Sequence, residues 1–159
     1  MKRINILALL AISIISFVSC SKKPDVEYTS TYKMSGEWFV TLRQNGTAVA
    51  AVHKIMTYNT AEPNSGKIWL NDLNYWPFKG KLDVDYSTLS FKAATGIANE
   101  ALANKTAKVV EGKIIPGAAH SKSGNLVDSI YLKMEFSDDP GEIYEYSGHL
   151  RTGFFEDEY

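Results

Sequence analysis

From Gly36 onward apolar residues recur at every second position, and turn chemistry interrupts them at short intervals, the signature of successive β-strands. Glu37–Arg43 sets Trp38, Val40 and Leu42 on one face and ends at Asn45-Gly46, a strong hairpin signal. Thr47–Tyr58 is a long run with mixed alternation, and Glu62–Gly66 is a loop. Lys67–Leu73 sets Ile68 and Leu70 against Trp69, and Trp76-Pro77 breaks the segment that follows. Gly80–Tyr86 alternates Leu82, Val84 and Tyr86 with Lys81, Asp83 and Asp85, and Leu89–Ala93 pairs back after Ser87-Thr88. Thr106–Ile115 is a further strand, Pro116–Asn125 reads as a Gly/Ser-rich loop, and Val127–Ser137 and Ile143–Arg151 flank a five-residue loop, Asp138–Glu142. One segment differs. Ile97–Ala103 carries good helix formers behind a possible Thr95 cap, so Thr95–Lys105 is expected to form one or two helical turns or an ordered loop.

The pattern predicts an all-β chain: eight antiparallel strands in up-and-down order, closed into a barrel wide enough for one small ligand. A two-sheet β-sandwich is the alternative. An outer-membrane pore is excluded, because Lys81, Asp83 and Asp85 fill positions where an apolar outer band would be needed. In the last hairpin the five-residue loop would pair Phe136 with Tyr144, Met134 with Tyr146, Leu132 with Gly148 and Ile130 with Leu150. The other face would then pair Glu135 with Glu145 and Tyr131 with His149, and Gly148 would leave room beside a cavity.

The first residues follow a different rule. Lys2 and Arg3 precede the apolar run Ile4–Val18, then Ser19 and Cys20, the only cysteine. This reads as a bacterial lipoprotein signal over 1–19, with Cys20 acylated. Ordinary secretory cleavage wants small residues three and one before the cut, and Phe17 is large. The run is also short of the ~20 residues of a spanning helix. Several acyl chains would anchor the protein where one holds only marginally. Residues 20–35, polar and containing Pro24, form a tether, and 36–159 a single β-barrel domain. The expected location is the bacterial cell envelope, membrane-anchored and facing the periplasm or the outer surface. With Cys20 lipidated, the folded domain has no thiol for a disulfide, a nucleophile or a metal.

Removing Lys2 and Arg3 from the 17 basic residues leaves 15 against 18 acidic ones, a net charge of about −3 that offers no footprint for nucleic acid. His53, His120 and His149 lack metal-ligand spacing, and Asp138–Glu142 is explained as a turn, so no metal or cofactor is expected. No nucleophile elbow occurs, and Ser147 and His149, two apart on one strand, lie ~7 Å from each other, too far for direct proton transfer. Glu135 and Glu145 read as surface residues flanked by Lys133 rather than a catalytic pair. No catalytic set is therefore assigned. Nine tyrosines, seven phenylalanines and three tryptophans are the better site material. Trp38, Tyr58, Trp69, Trp76, Tyr86, Tyr144 and Tyr146 are the candidate ligand-binding residues, with Arg151 or His149 orienting a head group.

Asp138-Asp139-Pro140-Gly141, Tyr144 and the run Gly148–Phe154, with Gly36-Glu37-Trp38 and Val110–Ile115, resemble a Bacteroidota lipoprotein family known as lipid-binding putative hydrolases, whose barrel is lipocalin-like (calycin-type). The resemblance spans most of the mature chain. It implies a barrel in the bacterial envelope and suggests lipid binding or hydrolysis, and no catalytic residues come with it. The expectation is a lipid-anchored protein that takes a small apolar or lipid-like ligand into an aromatic-lined barrel cavity. The alternatives are an envelope accessory or assembly protein with a filled barrel, and a hydrolase of a lipid-like or ester substrate.

Overall fold

A computed structural model describes residues 25–62, 65–73, 75–92 and 95–159; the leader, Cys20 and the first part of the tether lie outside these. Ten strands follow in order: β1 (Gly36–Gln44), β2 (Thr47–Ala48), β3 (His53–Asn59), β4 (Lys67–Asn71), β5 (Lys79–Asp85), β6 (Ser90–Phe91), β7 (Ile97–Ala98), β8 (Thr106–His120), β9 (Leu126–Phe136) and β10 (Asp139–Leu150). Eight of them, β1-β3-β4-β5-β6-β8-β9-β10, form an antiparallel ring in chain order. Pairing of β1 with β10, from Trp38↔Leu150 to Gln44↔Tyr144, closes it. The up-and-down barrel stands and the sandwich falls. Closure also removes the unpaired edges that an open sheet would leave.

The two short strands complete interrupted neighbours. β2 pairs with the end of β1 and β3 with its beginning, so they act as one strand bent at 49–52. β7 lies beside the first residues of β8, where Ile97 pairs with Ala107, and β6 pairs further along at Lys113. The helical reading of Thr95–Lys105 is corrected: Ile97 and Ala98 extend into the sheet and the rest is turn. Burying Ile97 in the core outweighs a helix too short to stand alone.

Three further expectations change. Pro116–His120 continues β8 instead of forming a loop. A register shift between Ile115 and Ala119 absorbs Pro116, which has no N–H to donate. The tether's last residues belong to the packed body. Thr31 and Met34 are buried, and Tyr32–Met34 forms a 3₁₀ turn across one barrel end. The last hairpin turns at Ser137-Asp138, pairs Phe136 with Asp139, and bulges before Tyr144. Its register is therefore Tyr144↔Met134, Tyr146↔Leu132 and Gly148↔Ile130, two residues from the expected one. A shift of two keeps the faces, so Tyr144 and Tyr146 still point inward. Glu135 does not meet Glu145; Lys108 pairs with Glu135, and Lys133 lies 3.8 Å from Glu111 and 3.9 Å from Glu145.

The barrel interior is filled. Trp38, Val40 and Leu42 meet Ile55, Ile68, Leu82, Ile130, Leu132, Met134 and Tyr146, all essentially inaccessible to solvent. An open cup lined by aromatics, as expected from composition, is replaced by a solid core. Any room for a ligand lies at the ends.

Candidate functional site

At the end where β1 and β9 begin and β3, β5, β8 and β10 finish lies a cavity of about 430 Å³, within the size range of small-ligand pockets. Trp38, Leu89, Leu150, Pro116 and Tyr32 supply its apolar lining, and Lys33, Ser35 and Asp128 its polar edge. Each lining residue is held by its neighbours. The Trp38 Nε1–H donates to Thr57 Oγ1 at 2.8 Å, and the Thr57 hydroxyl donates to the Met34 carbonyl at 2.5 Å. This buried relay ties the 3₁₀ turn, and with it Tyr32 and Lys33, to the barrel floor. Gly36 permits the closure: a Cβ there would lie 2.5 Å from Leu150 Cδ1.

Leu89 occupies the left-handed region, φ 52°, which a branched side chain adopts only under constraint. Its carbonyl accepts the Ile114 N–H at 2.8 Å, which holds this conformation while the side chain lines the cavity. Asp128 is spoken for, since its Oδ1 accepts the Gly117 N–H at 2.8 Å. Lys33 makes no ion pair among the described residues and leans over the Tyr32 ring, 5.7 Å from its centroid. The edge of the pocket thus offers the Lys33 ammonium and the Asp128 carboxylate, neither in an ion pair among the described residues, beside apolar walls. Replacing Thr57 by Val should leave the Trp38 N–H and the Met34 carbonyl unpaired. The expected loss is about 1–3 kcal/mol in urea unfolding, with altered Trp emission.

The opposite end holds a buried polar cluster. His53 Nε2 faces Asp72 Oδ1 at 3.3 Å, and neither atom has another partner among the described residues. The Tyr146 hydroxyl donates to Asp72 Oδ2 at 2.9 Å, and the Trp76 N–H reaches the same oxygen at 3.3 Å. His53 Nδ1 lies 3.1 Å from the Ala51 carbonyl, and Tyr75 stacks on the ring at 3.9 Å between centroids. Burial raises the Asp72 pKa against the pull of His53 and Tyr146. Burial opposes protonation of His53, yet Asp72 and the Ala51 carbonyl outweigh it and raise its pKa as well. Both ring nitrogens are engaged and one ring face is covered, so the cluster is built as a latch joining β3, the β4–β5 loop and β10.

The sequence model of the lipid-binding putative hydrolase family matches residues 23–155. The chain belongs to that family. No curated protein matches the chain.

Of the eight candidate binding residues in this family member, the structure brings only Trp38 to the cavity. Tyr58 and Trp69 sit side by side across β3 and β4 on the outer wall, where Lys79 and Lys81 lie 5.1 and 4.9 Å from the Trp69 ring. Trp76 caps the latch end, packed on Phe136 and Tyr144. The Tyr144 hydroxyl donates to Asp139 at 2.5 Å and its pKa is pushed up to about 12 by that bond. Tyr146 is fully committed to Asp72. Tyr86 packs on the core edge with its hydroxyl buried. Arg151 points outward and pairs with Glu37 and Glu158. His149 faces Phe39 and Tyr159, and Ser147 accepts from Arg43, so these two take separate partners.

Sequence reasoning missed Leu89, Leu150, Tyr32, Lys33, Pro116 and Asp128 at the cavity, and His53 with Asp72 at the latch. Tyr32 and Met34, apolar side chains two apart at the end of the tether, were the available sign that it folds back onto the barrel.

Proposed function

We propose that the protein binds a lipid-like molecule in the cavity above Trp38, with an apolar portion between Leu89, Leu150 and Pro116 and an anionic head group beside Lys33. The observation that carries this reading is the cavity itself, a mostly apolar recess with an ammonium at its edge that makes no ion pair among the described residues, in a member of a lipid-binding family. Because the barrel interior is filled, the ligand sits at the barrel's end and is only partly enclosed. Burial of apolar ligand area supplies the affinity, roughly 25 cal/mol per Å² before the costs of association. Binding rather than hydrolysis is the favoured reading, since the polar groups nearest the cavity are held by backbone or stand alone. We place the protein in the bacterial envelope, anchored through acylated Cys20, with the tether leading to the cavity end.

The naphthylamine probe N-phenyl-naphthylamine should bind with micromolar affinity and accept energy from Trp38. Leu89→Asn keeps a side chain tolerated at positive φ while removing the apolar wall. It should weaken the probe by roughly tenfold with the melting temperature unchanged or raised. A wild-type protein that binds no probe, or a Leu89→Asn variant that binds it equally well, overturns the reading in favour of a filled accessory barrel.

A further inference from the structure

Phe155, Leu126 and Phe154, three strongly exposed large apolar side chains of the barrel body, lie at the cavity's end of the barrel, where Tyr32 lines the cavity. Phe155 is 92% exposed, Leu126 66%, Phe154 58% and Tyr32 46%. Tyr28, 67% exposed, stacks against Tyr32 at 4.6 Å between centroids, and Tyr32 itself lines the cavity. Leu126 lies beside Gly117, next to the lining residue Pro116. Phe155 opens a 3₁₀ turn, Phe155–Asp157, that is fastened to the β8–β9 turn: the Ser123 N–H donates to Asp157 Oδ1 at 2.6 Å, and Thr152 donates to Oδ2 at 2.6 Å. Burial works against ionisation of Asp157, but these bonds outweigh it and hold its carboxyl well below the usual range. The phenylalanines are thus displayed outward by a structured turn, not left on a loose tail. At the latch end Val49 and Tyr75, at 50%, and Leu73, at 38%, are less exposed than Phe155, Leu126 and Phe154.

We infer that this end of the barrel seats directly on a lipid bilayer, with Phe155, Phe154 and Leu126 entering the interface and the cavity opening toward the membrane. The inference rests on the reading of the cavity as a lipid site and adds the route, in which ligand passes between bilayer and pocket without crossing water. The chain direction favours a bilayer over another protein. The tether reaches the barrel at this same end, and the twelve residues from Cys20 to Thr31 span at most about 40 Å, so an anchored Cys20 keeps the apolar rim close to the head groups. Lys33 and Lys122 flank the rim; Lys122 donates to the Glu158 carbonyl at 2.7 Å, which sets its ammonium beside the Phe155 turn. Apolar side chains in the interface with cations at head-group level are the usual composition of a surface that lies on a membrane.

The described packing lies between Tyr28 and Tyr159, so the chain from position 20 with Cys20→Ser keeps the whole body and removes the acyl anchor. This protein should co-float with vesicles of phosphatidylethanolamine and phosphatidylglycerol in equal parts. Phe155→Ser should weaken flotation by roughly tenfold, and Phe155→Ser with Leu126→Ser should abolish it. Val49→Ser at the far end should leave it unchanged. Probe binding in solution should be the same in all four proteins. Failure of the unacylated wild type to float, or flotation of the double variant at the wild-type level, overturns the inference. So does conversion by Phe155→Ser of a dimer into a monomer in sedimentation, which assigns the rim to a second copy of the chain. Flotation that depends on Phe155 in a protein that binds no probe sustains the docking surface and sinks the cavity reading alone.

Discussion

Gly148→Ala is expected to cost more than about 3 kcal/mol and to lower the melting temperature by on the order of 10 °C. Gly148 pairs with Val40 where β10 closes on β1. A Cβ at this position would lie 1.9 Å from the Phe39 carbonyl oxygen and 2.7 Å from the Val40 Cα. Both obstacles are backbone, so no change of rotamer relieves them and the two strands must part at the seam that makes the sheet a barrel. Gly112→Ala supplies the comparison. Its Cβ would meet Leu132 Cδ2 at 2.6 Å and Phe91 at 3.1 Å, both side chains that are able to move. A cost of about 1–3 kcal/mol is expected there. Thermal unfolding followed by circular dichroism distinguishes the two, and a Gly148→Ala protein that melts within about 2 °C of wild type contradicts the account. The expectation that Gly148 borders a cavity is thereby replaced: the glycine serves a backbone contact.

Strand positions were legible because alternation depends only on each residue's own neighbours. Trp38, Val40 and Leu42 point inward with Ile68, Leu70, Leu82 and Val84, as the pattern requires. Asn45 and Gly46 take the positive φ of a tight hairpin, 50° and 79°. The family was legible too, from the tail and from Gly36-Glu37-Trp38. The slip of two residues in the last hairpin was not, since a two-residue turn followed by a bulge and a five-residue loop produce the same alternation. Site residues were the least legible. Leu89 reaches the cavity because its backbone is held at positive φ, and Tyr32 and Lys33 reach it because Thr57 captures Met34 from the tether. Neither event leaves a periodic trace. Aromatic content misled in the other direction, since Tyr58 and Trp69 cover the outer wall and Trp76, Tyr144 and Tyr146 build the latch.

The latch gives the second large effect. Asp72→Ala should destabilise the protein by about 3–5 kcal/mol, because it leaves His53 Nε2, the Tyr146 hydroxyl and the Trp76 N–H buried around a missing acceptor. Asp72→Asn keeps an oxygen for Tyr146 and should cost less. The pH dependence separates this from simple loss of packing. His53 has a folded pKa raised above 6.5, and Asp72 one raised above 3.8. A raised folded value means that the folded state binds the proton more tightly than the unfolded chain does. The resulting stability is complete below the unfolded value and is lost as pH rises through the folded one. For His53 that loss begins as the pH passes 6.5, so the wild-type melting temperature should fall as the solution is made alkaline from that point. In Asp72→Asn the carboxylate is gone, burial is opposed only by the smaller pull of the Ala51 carbonyl, His53 stays neutral, and the decline above 6.5 should disappear. Calorimetric melting of both proteins across this range tests the pair: a wild-type Tm that rises above pH 6.5, or an Asp72→Asn protein with the same decline, removes His53 and Asp72 as the proton-holding latch.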